Sequence, residues 1–192
     1  MTIPSKLKEM SMQYTAKQSK KSEIPDITSI LSPNAFMTLL KNDRHNRIEL
    51  HLRGEFTGPE NNTQELAELY QLSEMFPTLL IYINSIGGRV DTLTEIINVS
   101  KKFEKVITVC NGQASSAGFM IWCTGDLRVT DELAEHMFHR EGWGMGGKTD
   151  QILDRAEFAK RHFERIVQEW CGDVVTEDQL EKARTTEVWI SG

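Results

Sequence analysis

Residues 79–83, Leu-Leu-Ile-Tyr-Ile, form an unbroken apolar run that leads into Asn84-Ser-Ile-Gly-Gly88. A strand that is apolar at every position needs cover on both faces, which points to a parallel sheet with helices packed on each side. Two adjacent glycines after the run predict a tight turn. Beyond them, Val90 to Phe103 has helical spacing, with Leu93, Ile96, Ile97 and Val99 turned inward. The pattern then recurs: Lys105 to Cys110 reads as a strand, Gly112-Gln113 as its turn, and a helix starts near Ser115-Ser116. Upstream, Ile48 to Leu52 alternates as a strand and 54–62 reads as a loop. Thr63 to Phe76 is predicted helical, with Leu66, Leu69, Tyr70 and Leu72 on one side and Pro77 as the stop. Downstream come short strands at Leu127–Thr130 and His136–His139, then a loop with four glycines over 141–148. Thr149 to Cys171 is one long helix, about 34 Å at 1.5 Å per residue, with an apolar seam of Ile152, Ala156, Ala159, Phe163, Ile166 and Trp170. A helix from Thr176 to about Ala183 and the run Val188-Trp-Ile190 close the chain. Strands alternating with helices predict an α/β layer fold.

With 192 residues the chain suits one domain with an appended segment. Residues 1–46 are rich in Lys, Ser, Thr and Asn and weakly periodic, and are expected to be an extension, with a short helix over Asn34–Leu40; the domain proper is expected to run from 47 to 192. A net charge of -6 without a basic stripe argues against nucleic-acid binding. The apolar runs are too short to span a bilayer, and the first residues lack the apolar core of a signal peptide. Three cysteines, Cys110, Cys123 and Cys171, with no Cys-x-x-Cys pair, fit a reducing compartment. The cytoplasm is the expected location.

Two constellations carry chemistry. Gly87-Gly88 after a buried strand is either a plain strand-to-helix turn or a cradle whose amides face a ligand. Ala114-Ser-Ser116-Ala-Gly118 surrounds a serine with small residues at a helix N-terminus, where unpaired amides favour negative charge. That pattern serves equally for caps and packing or for a nucleophile elbow, in which a cramped turn exposes a hydroxyl. A nucleophilic serine needs a base. Of the five histidines, His51 lies on a strand, His45 in the extension and His162 on the long helix. His136 and His139, three apart on a short strand, face opposite sides, so only one can serve a given site. The same geometry weakens a two-histidine metal site; no metal and no cofactor are expected.

Taken together, "YINSIGGRVDTLTEI", "VITVCNGQASSAGFMIW" and "EHMFHREGWGMGG" followed by a long helix resemble the Clp peptidase (ClpP) family, in that family's order and near its spacing, from about Arg47 to Gly192. The resemblance implies an α/β fold of the ClpP and crotonase kind, with repeated β-β-α units and a protruding handle helix. It implies a serine endopeptidase with Ser116 as nucleophile, His139 as general base, and the amides of Gly88 and Ala117 as the oxyanion hole. Glu187 falls where the family has Asp, with Asp126 and Asp131 as rival carboxylates. Implied partners are polypeptide substrates, further copies of the chain in two stacked heptameric rings joined through the Thr149–Cys171 handle, and a Clp-type ATPase unfoldase.

Departures from the family pattern are Ile86 for Pro before the glycines, Ala117 for Met after the serine, Arg140-Glu141 for Gln-Pro after the histidine, and Thr186 where an Arg is common. Two rival readings share the fold: a catalytically idle ring subunit, and a crotonase-like enzyme acting on an acyl thioester.

Overall fold

The structure, a computed structural model, describes residues 36–140, 142 and 146–192. Most of the expected N-terminal extension, and Glu141 with residues 143–145 of the glycine loop, lie outside the described residues. The elements run β1 (Met37–Asn42), β2 (Arg47–Phe56), α1 (Thr63–Ser73), β3 (Thr78–Gly88), α2 (Val90–Ser100), β4 (Lys105–Ser115), α3 (Ala117–Cys123), β5 (Leu127–Thr130), β6 (Glu135–Phe138), α4 (Thr149–Cys171), α5 (Glu177–Ala183) and β7 (Val188–Ser191). This is the expected α/β fold, consistent with that of the Clp peptidases.

All seven strands share one sheet, ordered β1-β2-β3-β4-β6-β7, with β5 also on β4. β2, β3 and β4 are mutually parallel, while β1 and β7 add antiparallel edges to β2 and β6. Leu79, Ile81 and Ile83 of β3 are fully buried, as the apolar run requires. β4 is shared by two partners. Its first half, Ile107–Cys110, pairs with β5, and its end, Gln113–Ser115, pairs with β6. That division sets β6 beside the start of α3.

Several local expectations are corrected. Asn34–Leu40 is not helical where described: β1 pairs Met37 with Leu52 and Leu39 with Leu50, burying both apolar residues at strand spacing. The sheet therefore begins ahead of Arg47. Neither glycine stretch is a turn. β3 stays paired through Gly88, and β4 runs through Gly112 and Gln113 to Ser115. β2 likewise continues to Phe56 into the expected loop. Tyr70 is exposed, leaving Leu66 and Leu69 as the buried face of α1. α2 buries the four apolar residues expected of it.

The handle is divided. Ala159, Phe163, Ile166, Val167 and Cys171 are buried against the domain, whereas Leu153 and Phe158, at 62% and 47% exposure, project with Ala156 from its first half. The seam drawn over the whole helix holds only for its second half. No helix among the described residues is long and apolar enough to cross a membrane.

Candidate active site

Two strand-to-helix junctions converge. At the end of β3 the pairing with β2 slips by one residue: Gly54 lies opposite Ser85, then Glu55 opposite Gly87. Ile86 is the extra residue and is exposed. Gly87 and Gly88 both take positive φ, 91° and 141°. A Cβ on Gly87 would sit 2.7 Å from Ser116 Cβ and 2.9 Å from Ala117 N; one on Gly88 would sit 2.5 Å from the Phe56 carbonyl oxygen. Glycine is needed at both, for conformation and for space.

At the end of β4, Ser115 is fully buried and its hydroxyl accepts a 2.8 Å bond from Gln113 Nε2. Ser116 then turns through φ 53° and ψ -117°. Its N–H donates to the Met137 carbonyl of β6 at 2.7 Å, and its carbonyl accepts from Met120 N at 3.1 Å, starting α3. Positive φ in a residue with a Cβ costs energy and persists only where the surroundings hold it. Here they are the β6 carbonyl on one side and Gly87 on the other.

β6 delivers His139 just past its last residue. His139 Nε2 lies 3.1 Å from Ser116 Oγ. With the ring neutral and its proton on Nδ1, the hydroxyl donates to Nε2, the arrangement of a nucleophile and its base. Both side chains are half-buried and line a cavity of about 350 Å³ whose wall includes Gly87, Gly88 and Met137. An apolar recess beneath Ser116 is formed by Val90, Leu93, Met120, Phe163 and Ile166. A wider cleft of about 630 Å³ shares Glu55, Gly88, Val90 and Gly142 with the first cavity and extends to Arg155, Phe158 and His162 of the handle. Arg89 pairs with Asp91 on its other wall and holds that carboxyl below the usual range through their hydrogen bond.

The Clp protease family model matches residues 45–192. The chain belongs to the Clp protease family. The match favours a peptidase over the crotonase-like thioester reading, and it covers both junctions, the handle and β7.

Within this Clp protease fold Ser116, His139, Gly88 and Ala117 are gathered at one place. Ala117 opens α3, so its N–H has no acceptor within the helix. Glu187 stands apart. It is exposed, and its Oε2 accepts from Trp189 Nε1 at 3.1 Å rather than from His139. Asp126 Oδ2 accepts from Val106 N at 2.7 Å, and among the described residues neither rival carboxylate hydrogen-bonds His139. His136 faces away from the site. Its ring lies 4.3 Å from Trp122 and 5.8 Å from Phe119, with Nε2 3.0 Å from Thr130 Oγ1 and Nδ1 buried without a partner among the described residues. Burial pushes its imidazole below the usual histidine range. His51 is half-buried, stacked on Tyr82. His162, half-buried and stacked on Phe158, lines the wider cleft. Two contributions escaped the sequence reading: the Met137 carbonyl that pins Ser116, and the bonds of Ser85, which lies within the Asn84–Gly88 motif and is buried beside the glycines. Only strand register exposes them.

Proposed function

We propose that the protein is a serine endopeptidase that cleaves unfolded polypeptides by acyl transfer within a ring of its own subunits. The observation that carries this reading is the 3.1 Å approach of His139 Nε2 to Ser116 Oγ beside the Gly88 amide. His139 takes the hydroxyl proton as Ser116 Oγ attacks the peptide carbonyl. The Gly88 and Ala117 amides face the oxygen that gains charge, and such fixed donors in a water-poor site stabilise the transition state strongly. His139 then protonates the departing amine, leaving an acyl ester on Ser116. A water, deprotonated by His139, attacks that ester and releases the acid and the free serine.

Glu187 is the residue proposed to orient His139. The β6–β7 ladder ends with Phe138 opposite Val188, and carrying that register one step past the strands would bring position 187 opposite 139. Reaching His139 Nδ1 requires the carboxylate to leave the Trp189 indole. A glutamate in that role keeps the imidazole tautomer as an aspartate does.

The exposed Leu153 and Phe158 on the first half of α4 support a contact between stacked rings. Family membership supports feeding by an ATP-driven unfoldase and a cytoplasmic location.

The test is turnover of a fluorescently labelled unfolded protein and a fluorogenic peptide, with native mass measured in parallel. Cleavage that disappears in Ser116→Ala and His139→Ala, from a species of ring mass, is the expected result. A wild-type protein inert on both substrates refutes the peptidase reading, and a stable monomer refutes the ring.

A further inference from the structure

We infer that Ser85 is a positioning residue that aims the Gly88 amide at the nucleophile. The inference rests on the serine-peptidase reading above.

The starting point is the bulge. Where β2 and β3 slip by one residue, the ladder is locally interrupted and backbone groups lose their regular partners. Ser85 lies at that break and is 1% exposed. Its hydroxyl donates to the Gly54 carbonyl at 2.5 Å and accepts from the Gly87 N–H at 3.0 Å. One hydroxyl thus bridges the gap with its donor and one of its acceptor sites. Ser85 is absent from the cavity wall, whereas Ile86, Gly87 and Gly88 are on it. It therefore acts through the backbone and not on substrate.

The consequence for Gly88 follows from strand alternation. Successive amides of an extended chain point to opposite sides. Gly87 N–H points toward β2 through Ser85 Oγ, and Arg89 N–H points toward β2 by donating to the Phe56 carbonyl at 3.1 Å. Gly88 N–H, between them, is turned away from β2, the side on which β4 and Ser116 lie. The two flanking bonds set its direction. Both glycines sit at positive φ with no side chain to limit them, so the backbone relies on those bonds more than an ordinary strand would. Gly87 also packs against Ser116 Cβ, so a shift there displaces the nucleophile's neighbour directly.

Removing the Ser85 hydroxyl takes this partner from the buried Gly87 N–H and from the Gly54 carbonyl, leaving the interrupted β2–β3 ladder alone to hold the Gly88 amide. Loss of one oxyanion donor outright costs about 100- to 1,000-fold in kcat. Misaiming it through Ser85→Ala is expected to cost roughly 10- to 100-fold, with KM within about threefold.

The experiment compares wild type, Ser85→Ala, Ser85→Cys and Ser85→Thr on a fluorogenic peptide, together with the affinity of a peptide aldehyde, which forms a tetrahedral adduct, and of the product peptide, which does not. In Ser85→Ala, aldehyde affinity should fall in step with kcat while product affinity and the pH midpoint of kcat stay put. Ser85→Thr, which keeps the hydroxyl, should recover most of the loss, and Ser85→Cys, a weaker hydrogen bonder of similar size, should lie between. A merely structural serine would lower thermal stability without separating aldehyde from product affinity, and that outcome overturns the inference. Unchanged kcat in Ser85→Ala, or in Ser85→Cys if the alanine variant does not fold, overturns it too while leaving the peptidase reading intact. A wild-type protein that neither turns over peptide nor reacts with a fluorophosphonate removes both.

Discussion

The β3–α2 and β4–α3 junctions end neighbouring strands of eleven residues each, and both take the chain through positive φ before a helix. The first does so with two glycines, so what it presents is backbone, with Gly88 exposed in the cavity wall. The second does so with Ser116, whose Cβ makes the same turn costly, and what it presents is a side chain. The cost at Ser116 is met by fixed neighbours, the Met137 carbonyl and the bare face of Gly87. The glycine junction therefore fits around the serine junction, with Gly87 leaving the space that Ser116 needs. Disturbing one should disturb the other, and the strength of that dependence can be measured.

The largest effect is expected from Gly87→Ala. The added Cβ meets Ser115 O at 2.6 Å and Ser116 Cβ at 2.7 Å, at a φ of 91° that residues with side chains rarely adopt. Strain and overpacking together should cost about 3 kcal/mol of stability. Turnover should drop at least about 100-fold, because Ser116 and the amide proposed as its oxyanion donor shift together. Chemical denaturation and steady-state kinetics on one sample check both. A variant with ordinary turnover would show that the junctions are independent.

A middle effect separates the adjacent serines. Ser115→Ala removes a buried acceptor of Gln113 Nε2 and should cost about 1 kcal/mol. Turnover should be little changed, because Ser115 points into the core. A strong loss of activity without loss of stability would move the chemistry from Ser116 to Ser115.

The smallest effect concerns the support beneath the serine junction. His136 lies between Ala114 of β4 and Ile190 of β7, against Trp122 of α3. Its native pKa is lowered by burial, so the unfolded chain takes up this proton at higher pH than the native one. Stability is then fully present above the ordinary histidine value of about 6.5 and declines as pH falls from there through the lowered native value. His51, lowered mainly by burial and further by Arg53, adds a slope of the same sign. His136→Phe should flatten part of the decline in melting temperature between about pH 7 and pH 5. An unaltered slope would assign the dependence to other groups.

These contrasts also explain what could be read in advance. Leu79 to Ile83 and Lys105 to Cys110 announced parallel strands because full burial leaves an apolar signature. The strands continue where that signature stops: Asn84–Gly88 and Gly112–Ser115 keep their pairing through backbone alone, which small and polar residues do not advertise. Met37 and Leu39 form too short an apolar run to distinguish helix from strand; the free edge of β2 decides for strand. That Ser116 and His139 would come together was legible because each sits in a motif with its neighbours. The present partner of Glu187 was not, since the Trp189 indole two residues on competes for its carboxylate at 3.1 Å. The handle seam was legible as helix. Which half would be buried was not, since that depends on where Phe163 and Ile166 meet α2 and α3 around the recess under Ser116.

The central claim is that Ser116, and not its neighbour, is an activated nucleophile. Reaction of the assembled protein with a fluorophosphonate, followed by peptide mapping in a mass spectrometer, tests it most directly. The account predicts a single adduct on Ser116 that is absent in His139→Ala and still forms in Ser115→Ala. An adduct on another residue, or none on the assembled protein, would contradict it.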